Sequence, residues 1–116
     1  MHLCVAARGK PPKALLDLAH EKVGARDVEV LVGPPFVACE VIYIHSSFSD
    51  WHQLLLEQRA PALTVGEVPG FVAAGGMIEL LLDSDSVRFD VNLGALREQH
   101  IRLPAQVLKL ARRVRE

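Results

Sequence analysis

Residues 63–93 read LTVGEVPGFVAAGGMIELLLDSDSVRFDVNL, and this stretch decides the fold. Thr64 and Val65 are β-branched, so residues 62–65 are predicted as a strand. Pro69, Gly70, Gly75 and Gly76 then bracket a loop, with a helical turn expected at 71–74. These glycines, with Gly66, invite comparison with a phosphate-binding loop. Their spacing is neither GxGxxG nor GxxxxGK[ST], so they are read as permitting turns with positive φ and close backbone approach. Residues 77–82 and 87–93 are two largely apolar runs around Asp83-Ser84-Asp85-Ser86, which predicts a β-hairpin. In its second arm Arg88, Asp90 and Asn92 share one face, and Val87, Phe89, Val91 and Leu93 the other. The polar face reads as the solvated side of an edge strand, or more sharply as a strip that contacts a partner.

Outward from this stretch, helices alternate with strands. Residues 2–7 are a short apolar run, predicted as the first strand. Pro11-Pro12 suits a helix start, Leu15, Leu16, Leu18, Ala19 and Val23 follow at helical spacing, and Gly24 supplies a stop. Residues 28–32 form the next strand, broken by Gly33-Pro34-Pro35, and CEVIYI at 39–44 reads as a buried strand. Ser49-Asp50 offers an N-cap for a helix over 51–59. Residues 103–114 are predicted as a closing helix with Val107, Leu108, Leu110, Ala111 and Val114 on its apolar stripe. Residues 94–102 are left as a connection between strand and helix. The expectation is one α/β domain over residues 1–116. It has a mainly parallel central sheet flanked by helices, with a C-terminal β-hairpin and a closing helix.

Composition narrows the function. Half of the 116 residues are hydrophobic, enough for a core, and the net charge of -1 gives no footprint for nucleic acid. The basic cluster Lys109, Arg112, Arg113 and Arg115 reads as cations at a helix C-terminus, where they complement the dipole. No apolar run reaches the ~18 residues of a membrane span, so the chain is expected not to span one itself. The chain opens on MHLCVAARGK, which looks like a first strand rather than a signal peptide. Taken alone that favours the cytosol; a signal outside the sequence is the alternative.

Candidate chemistry is sparse. Cys4 and Cys39 are the two cysteines, and the residues alone leave open two buried thiols or one bridge. A tetrahedral metal site from His2, Cys4, Cys39 and His45 needs an exacting strand alignment, because no close ligand pair fixes it. Ser46, Ser47 and Asp50 lie near His45 and His52 after a strand, where active sites of doubly wound folds lie. A polar strand-to-helix loop explains them equally. No nucleophile, base and orienting group form a recognisable set, so catalysis and cofactors are not expected. The rival reading is a small doubly wound enzyme or nucleotide-binding domain.

The chain also resembles the YfiR family of periplasmic regulators. The motifs are Thr64-Val65-Gly66, Pro69-Gly70-Phe71, Gly75-Gly76-Met77-Ile78 and residues 87–93, VRFDVNL. Leu103 and residues 106–111, QVLKLA, follow in the same order. The match covers about half the chain; the first half agrees in pattern only. Three features depart from the family: its upstream N-terminal helix is absent, no second cysteine pair surrounds the PGF–GGM segment, and Asp90 stands where Glu is usual. The resemblance implies periplasmic localisation and a Cys4–Cys39 disulfide. It also implies contact with the periplasmic domain of an inner-membrane signalling protein such as a diguanylate cyclase, with a homodimer as an option. Phe71, Arg88, Asp90, Leu96 and Arg102 are the expected partner-binding residues.

Overall fold

The computed structural model describes residues 1–8, 13, 22–23, 26–32, 36, 38–58 and 61–116. The helix expected from Pro11-Pro12 to Gly24 lies almost wholly outside them, and its described end is not helical: Lys22–Val23 is a strand, paired with Arg26–Asp27. Cys4, Ala6, Ile42 and Ile44 are β-branched or small, alternate inward and are all but inaccessible, as suits β1 (His2–Ala6) and β5 (Val41–Ile44), two adjacent interior strands of the sheet. β2 (Lys22–Val23) and β3 (Arg26–Asp27) make a separate antiparallel pair. β4 (Glu29–Val32) lies parallel to β1 at one edge. β6 (Leu63–Gly66) and β7 (Ile78–Leu82) continue the parallel set beyond β5. β8 (Val87–Asn92) returns antiparallel to β7, which is the expected hairpin. With a short last strand, β9 (Arg113–Arg115), the main sheet thus runs β4-β1-β5-β6-β7-β8-β9, mostly parallel, as the alternation of elements predicts.

Three short helices accompany it among the described residues: α1 (Trp51–Glu57), α2 (Leu93–Glu98) and α3 (Ala105–Leu110). α1 buries Leu54 against Cys4, Ile42, Ile44 and Phe71. Asp50 holds its N-cap position without a side-chain cap bond, so the proposed cap gives way to packing. On the other face of the sheet, Met77, Ile78, Val91 and Leu96 are buried, with Leu103, Leu108 and Ala111 packed on them.

The C-terminus departs from expectation. The helix predicted over 103–114 ends at Leu110, and residues 113–115 form a strand, β9, parallel to β8. Leu110 is 75% exposed, so the expected stripe is only partly a core face. Two long-range contacts turn the chain. Arg112 N–H donates to the Phe89 carbonyl at 2.8 Å, and its guanidinium grips Asp90. The basic cluster therefore divides: Lys109 lies in the last turn of α3, where a cation suits the dipole, while Arg112 makes an ion pair and Arg113 and Arg115 belong to an edge strand. A second correction concerns residues 94–102, where α2 replaces the expected irregular connection. Asn92 caps it, its Oδ1 accepting from Ala95 N–H at 3.1 Å.

Candidate functional site

The loop between β6 and β7 is built around one side chain. Phe71 is fully buried, and a Cβ added at Gly76 would lie 2.3 Å from its ring. Only glycine lets the backbone come so close to the ring. Trp51 of α1 lies on its other side, ring centres 5.6 Å apart. The loop is then tied to the sheet. Glu79 Oε1 accepts from Val72 N–H at 3.1 Å, Asn92 Nδ2 donates to Val72 O at 3.1 Å, and Thr64 Oγ1 accepts from Met77 N–H at 3.0 Å. The glycine-rich motif is thus an aromatic clamp.

Asp90 is also internal. Its side chain is 9% exposed and receives two charge-assisted bonds, from Arg112 Nε at 3.0 Å and Nη2 at 2.8 Å. Those bonds hold its carboxyl below the usual range; burial opposes the effect and the Arg113 charge adds to it. The polar face of β8 is accordingly divided: β9 covers its edge from Asp90 to Asn92 and Asp90 is buried beneath Arg112, while Arg88 stays exposed beyond β9. The ion-pair partner of Asp90 is thus Arg112.

Of the five residues expected to bind a partner, Phe71 and Leu96 are buried to within 1% and Asp90 to within 6%. Arg88 and Arg102 are exposed. Arg102 stands at a groove between α2 and α3 whose apolar wall is Leu93, Ile101, Leu103 and Leu108, with Arg97 also lining it. Leu96 forms part of its floor. Arg88 lies apart, on the hairpin opposite Leu81. Sequence reading missed Arg97 and Leu93. Their signal was present as Leu93, Leu96 and Arg97 after a capping asparagine, but Gly94 weakens a helical reading.

The other candidates resolve simply. Cys4 and Cys39 Sγ atoms are joined in a disulfide, with Cα atoms 5.8 Å apart. Bonded sulfurs do not act as thiolate ligands, which removes the four-residue metal site. Among the described residues no group of three or more His, Cys, Asp or Glu is placed to hold a metal ion. Ser47, not Ser46, meets His45: its Oγ lies 2.8 Å from Nδ1, and its own N–H donates to Nδ1 at 3.1 Å. Arg8 N–H donates to the same hydroxyl at 3.0 Å. These bonds close the strand ends of β1 and β5, at the point where the strand order reverses. Ser46 and Asp50 take no part in them. No helix among the described residues is long and apolar enough to cross a membrane.

A family model described as YfiR/HmsC-like matches residues 1–112. No curated protein matches the chain. Two solved structures share its fold at 13% identity. One is described as the ABC domain in complex with L-Trp from Streptococcus pneumonia, with a TM-score of 0.69 over 97% of this chain and 56% of that one. The other is a conserved domain protein from Vibrio cholerae O1 biovar eltor, with a TM-score of 0.71 over 98% of this chain and 54% of that one. The chain therefore spans little more than half the length of these two structures.

Proposed function

This chain belongs to the YfiR/HmsC-like family, and from that membership we propose that it is a non-catalytic periplasmic regulator working by protein–protein contact. Its target in this reading is the periplasmic domain of an inner-membrane signalling enzyme such as a diguanylate cyclase. The observation that carries the contact surface is the groove between α2 and α3: an apolar wall of Leu93, Ile101, Leu103 and Leu108, with Arg97 and Arg102 beside it. Interfaces draw their energy from apolar pockets and arginine anchors that become desolvated together. Phe71, Asp90 and Leu96 act in this reading from beneath. Leu96 floors the groove, Asp90 holds the C-terminal strand through Arg112, and Phe71 anchors the loop bonded to Asn92.

The disulfide supports a periplasmic setting, since such bonds persist in oxidising compartments. The test is a titration of the disulfide-bonded chain against the periplasmic domain of a candidate cyclase, with melting curves beside it. Arg102→Ala is expected to weaken binding by about tenfold or more, as loss of a hot-spot arginine does, and to leave the melting temperature nearly unchanged. Arg88→Ala, away from the groove, is expected to weaken it less. Wild-type affinity in both variants would remove this surface.

A further inference from the structure

The β7–β8 hairpin carries its apolar strip further than the helices cover it. Leu80 and Phe89 pair across the two strands and pack into the same core as residues of α2 and α3. Further out, Leu82 and Val87 pair in the same register and, by the alternation of strands, project to the same face. This last pair is uncovered: Leu82 is 55% exposed and Val87 63%. The turn beyond it is tight and acidic. Asp83 N–H donates to the Ser86 carbonyl at 2.9 Å, which closes the tip, and Asp83 and Asp85 are exposed. Neither aspartate makes an ion pair among the described residues. Arg88, the cation of the hairpin, alternates to the other face, opposite Leu81. The hairpin thus ends in a narrow projection that joins an apolar pair to two carboxylates.

The groove between α2 and α3 is the complement of that tip in charge and in polarity. Aliphatic side chains wall it, Arg97 and Arg102 line it, and no carboxylate does. Neither arginine makes an ion pair among the described residues. The groove has a volume of about 700 Å³, room for two aliphatic side chains and the start of a turn. Apolar contact at the centre with opposite charges facing each other around it is how specific interfaces are composed. Leu82 and Val87 are exposed, so the tip does not occupy the groove of its own chain. A projection that complements a pocket elsewhere on the same molecule joins separate copies head to tail.

We propose that the hairpin tip of one copy docks in the α2–α3 groove of a second copy of this chain. Leu82 and Val87 lie against the aliphatic wall, and Asp83 and Asp85 face Arg97 and Arg102. The contact is heterologous: the copy that offers its tip need not offer its groove to the same neighbour. The groove is the one assigned above to a signalling partner, and where that reading holds, the self-docked form keeps the partner out. Self-docking itself needs no second protein, so it is tested without one.

The experiment is sedimentation velocity of the disulfide-bonded chain from about 10 μM to about 1 mM, the span of weak contacts. Its two cysteines are bonded to each other, so no disulfide between copies contributes. The sedimentation coefficient is expected to rise with concentration, and to rise less in high salt, which screens the charged pairs. A tip variant, Leu82→Thr with Val87→Thr, removes the apolar pair and keeps β-branched residues on the strands. A groove variant, Arg102→Glu, turns a carboxylate toward the incoming aspartates. Each is expected to weaken self-association by about tenfold or more, as loss of an interface anchor does. Mixing the two restores a single link, from the intact tip of the groove variant to the intact groove of the tip variant. The mixture is therefore expected to form a dimer of one of each and to grow no further. Circular dichroism reports folding, and Asp85→Lys replaces the tip variant if that one does not fold. Wild-type chain that stays monomeric at every concentration overturns the proposal and leaves the groove to a protein of other sequence. So does undiminished association in either folded variant, or a mixture no more associated than its components. None of these outcomes alters the titration against a cyclase domain, which decides the reading above by itself.

Discussion

Gly76 and Phe71 show how much one missing Cβ decides. The ring of Phe71 fills the space that a side chain at position 76 would need, with a hypothetical Cβ 2.3 Å from its Cδ2 atom. Phe71 is itself hemmed in by Trp51 and the core beneath α1, so it has little room to yield. Overpacking of this kind costs about 1–3 kcal/mol. Gly76→Ala is therefore expected to lower the melting temperature by several degrees, read by thermal denaturation followed by circular dichroism. An unchanged midpoint would show that the ring can move aside. The sequence announced close backbone approach at these glycines. It did not announce what approaches, because an aromatic after a Pro-Gly turn is equally compatible with a surface anchor and a buried plug. Only the enclosing elements distinguish the two.

At the level of elements, β9 is the instructive case. Three residues, Arg113–Arg115, form a strand although two of them are arginines. Its attachment comes from β8: backbone pairing at Asp90, Val91 and Asn92, and the grip of Arg112 on Asp90. This ion pair makes the attachment pH-dependent. Asp90 is held below its ordinary range chiefly by the Arg112 bonds. A depressed carboxyl contributes stability that is complete above the unfolded value of about 3.9 and is lost as pH falls through the lower native value. Asp90→Asn is expected to cost about 1.5–3 kcal/mol at neutral pH, the range for hydrogen bonds to a charged group. The gap in melting temperature between wild type and variant should then close below about pH 4. Melting curves from pH 7 to pH 2 measure it; a gap that stays constant with pH would mean that Asp90 acts through shape rather than charge.

For the molecule as a whole, the Cys4–Cys39 disulfide joins the middle of β1 to the segment leading into β5, closing a loop with a sequence separation of 35. Chain-entropy arguments assign about 4 kcal/mol to a closure of that length. Reduction is expected to lower the melting temperature by roughly 10 °C or more. Calorimetry with and without a reductant checks this, and coincident transitions would show that the two strands are held as firmly by packing alone. The pairing lay within reach of the sequence only through family resemblance, because the two residues could equally have been separate buried thiols.

What the sequence determined by itself is local: runs of β-branched and apolar residues made strands, polar tetrapeptides and glycines made turns, and their alternation made a mostly parallel sheet. The tertiary structure alone decided which of those residues meet. It buried Asp90 and Leu96, left Arg102 at a groove, and drew the chain after Leu110 into the sheet instead of continuing a helix. The physical reason is the range of the interactions. Turn chemistry and strand preference act within a few residues, whereas the bonds from Arg112 to Asp90 and Phe89 span about twenty residues and exist only once the hairpin has formed.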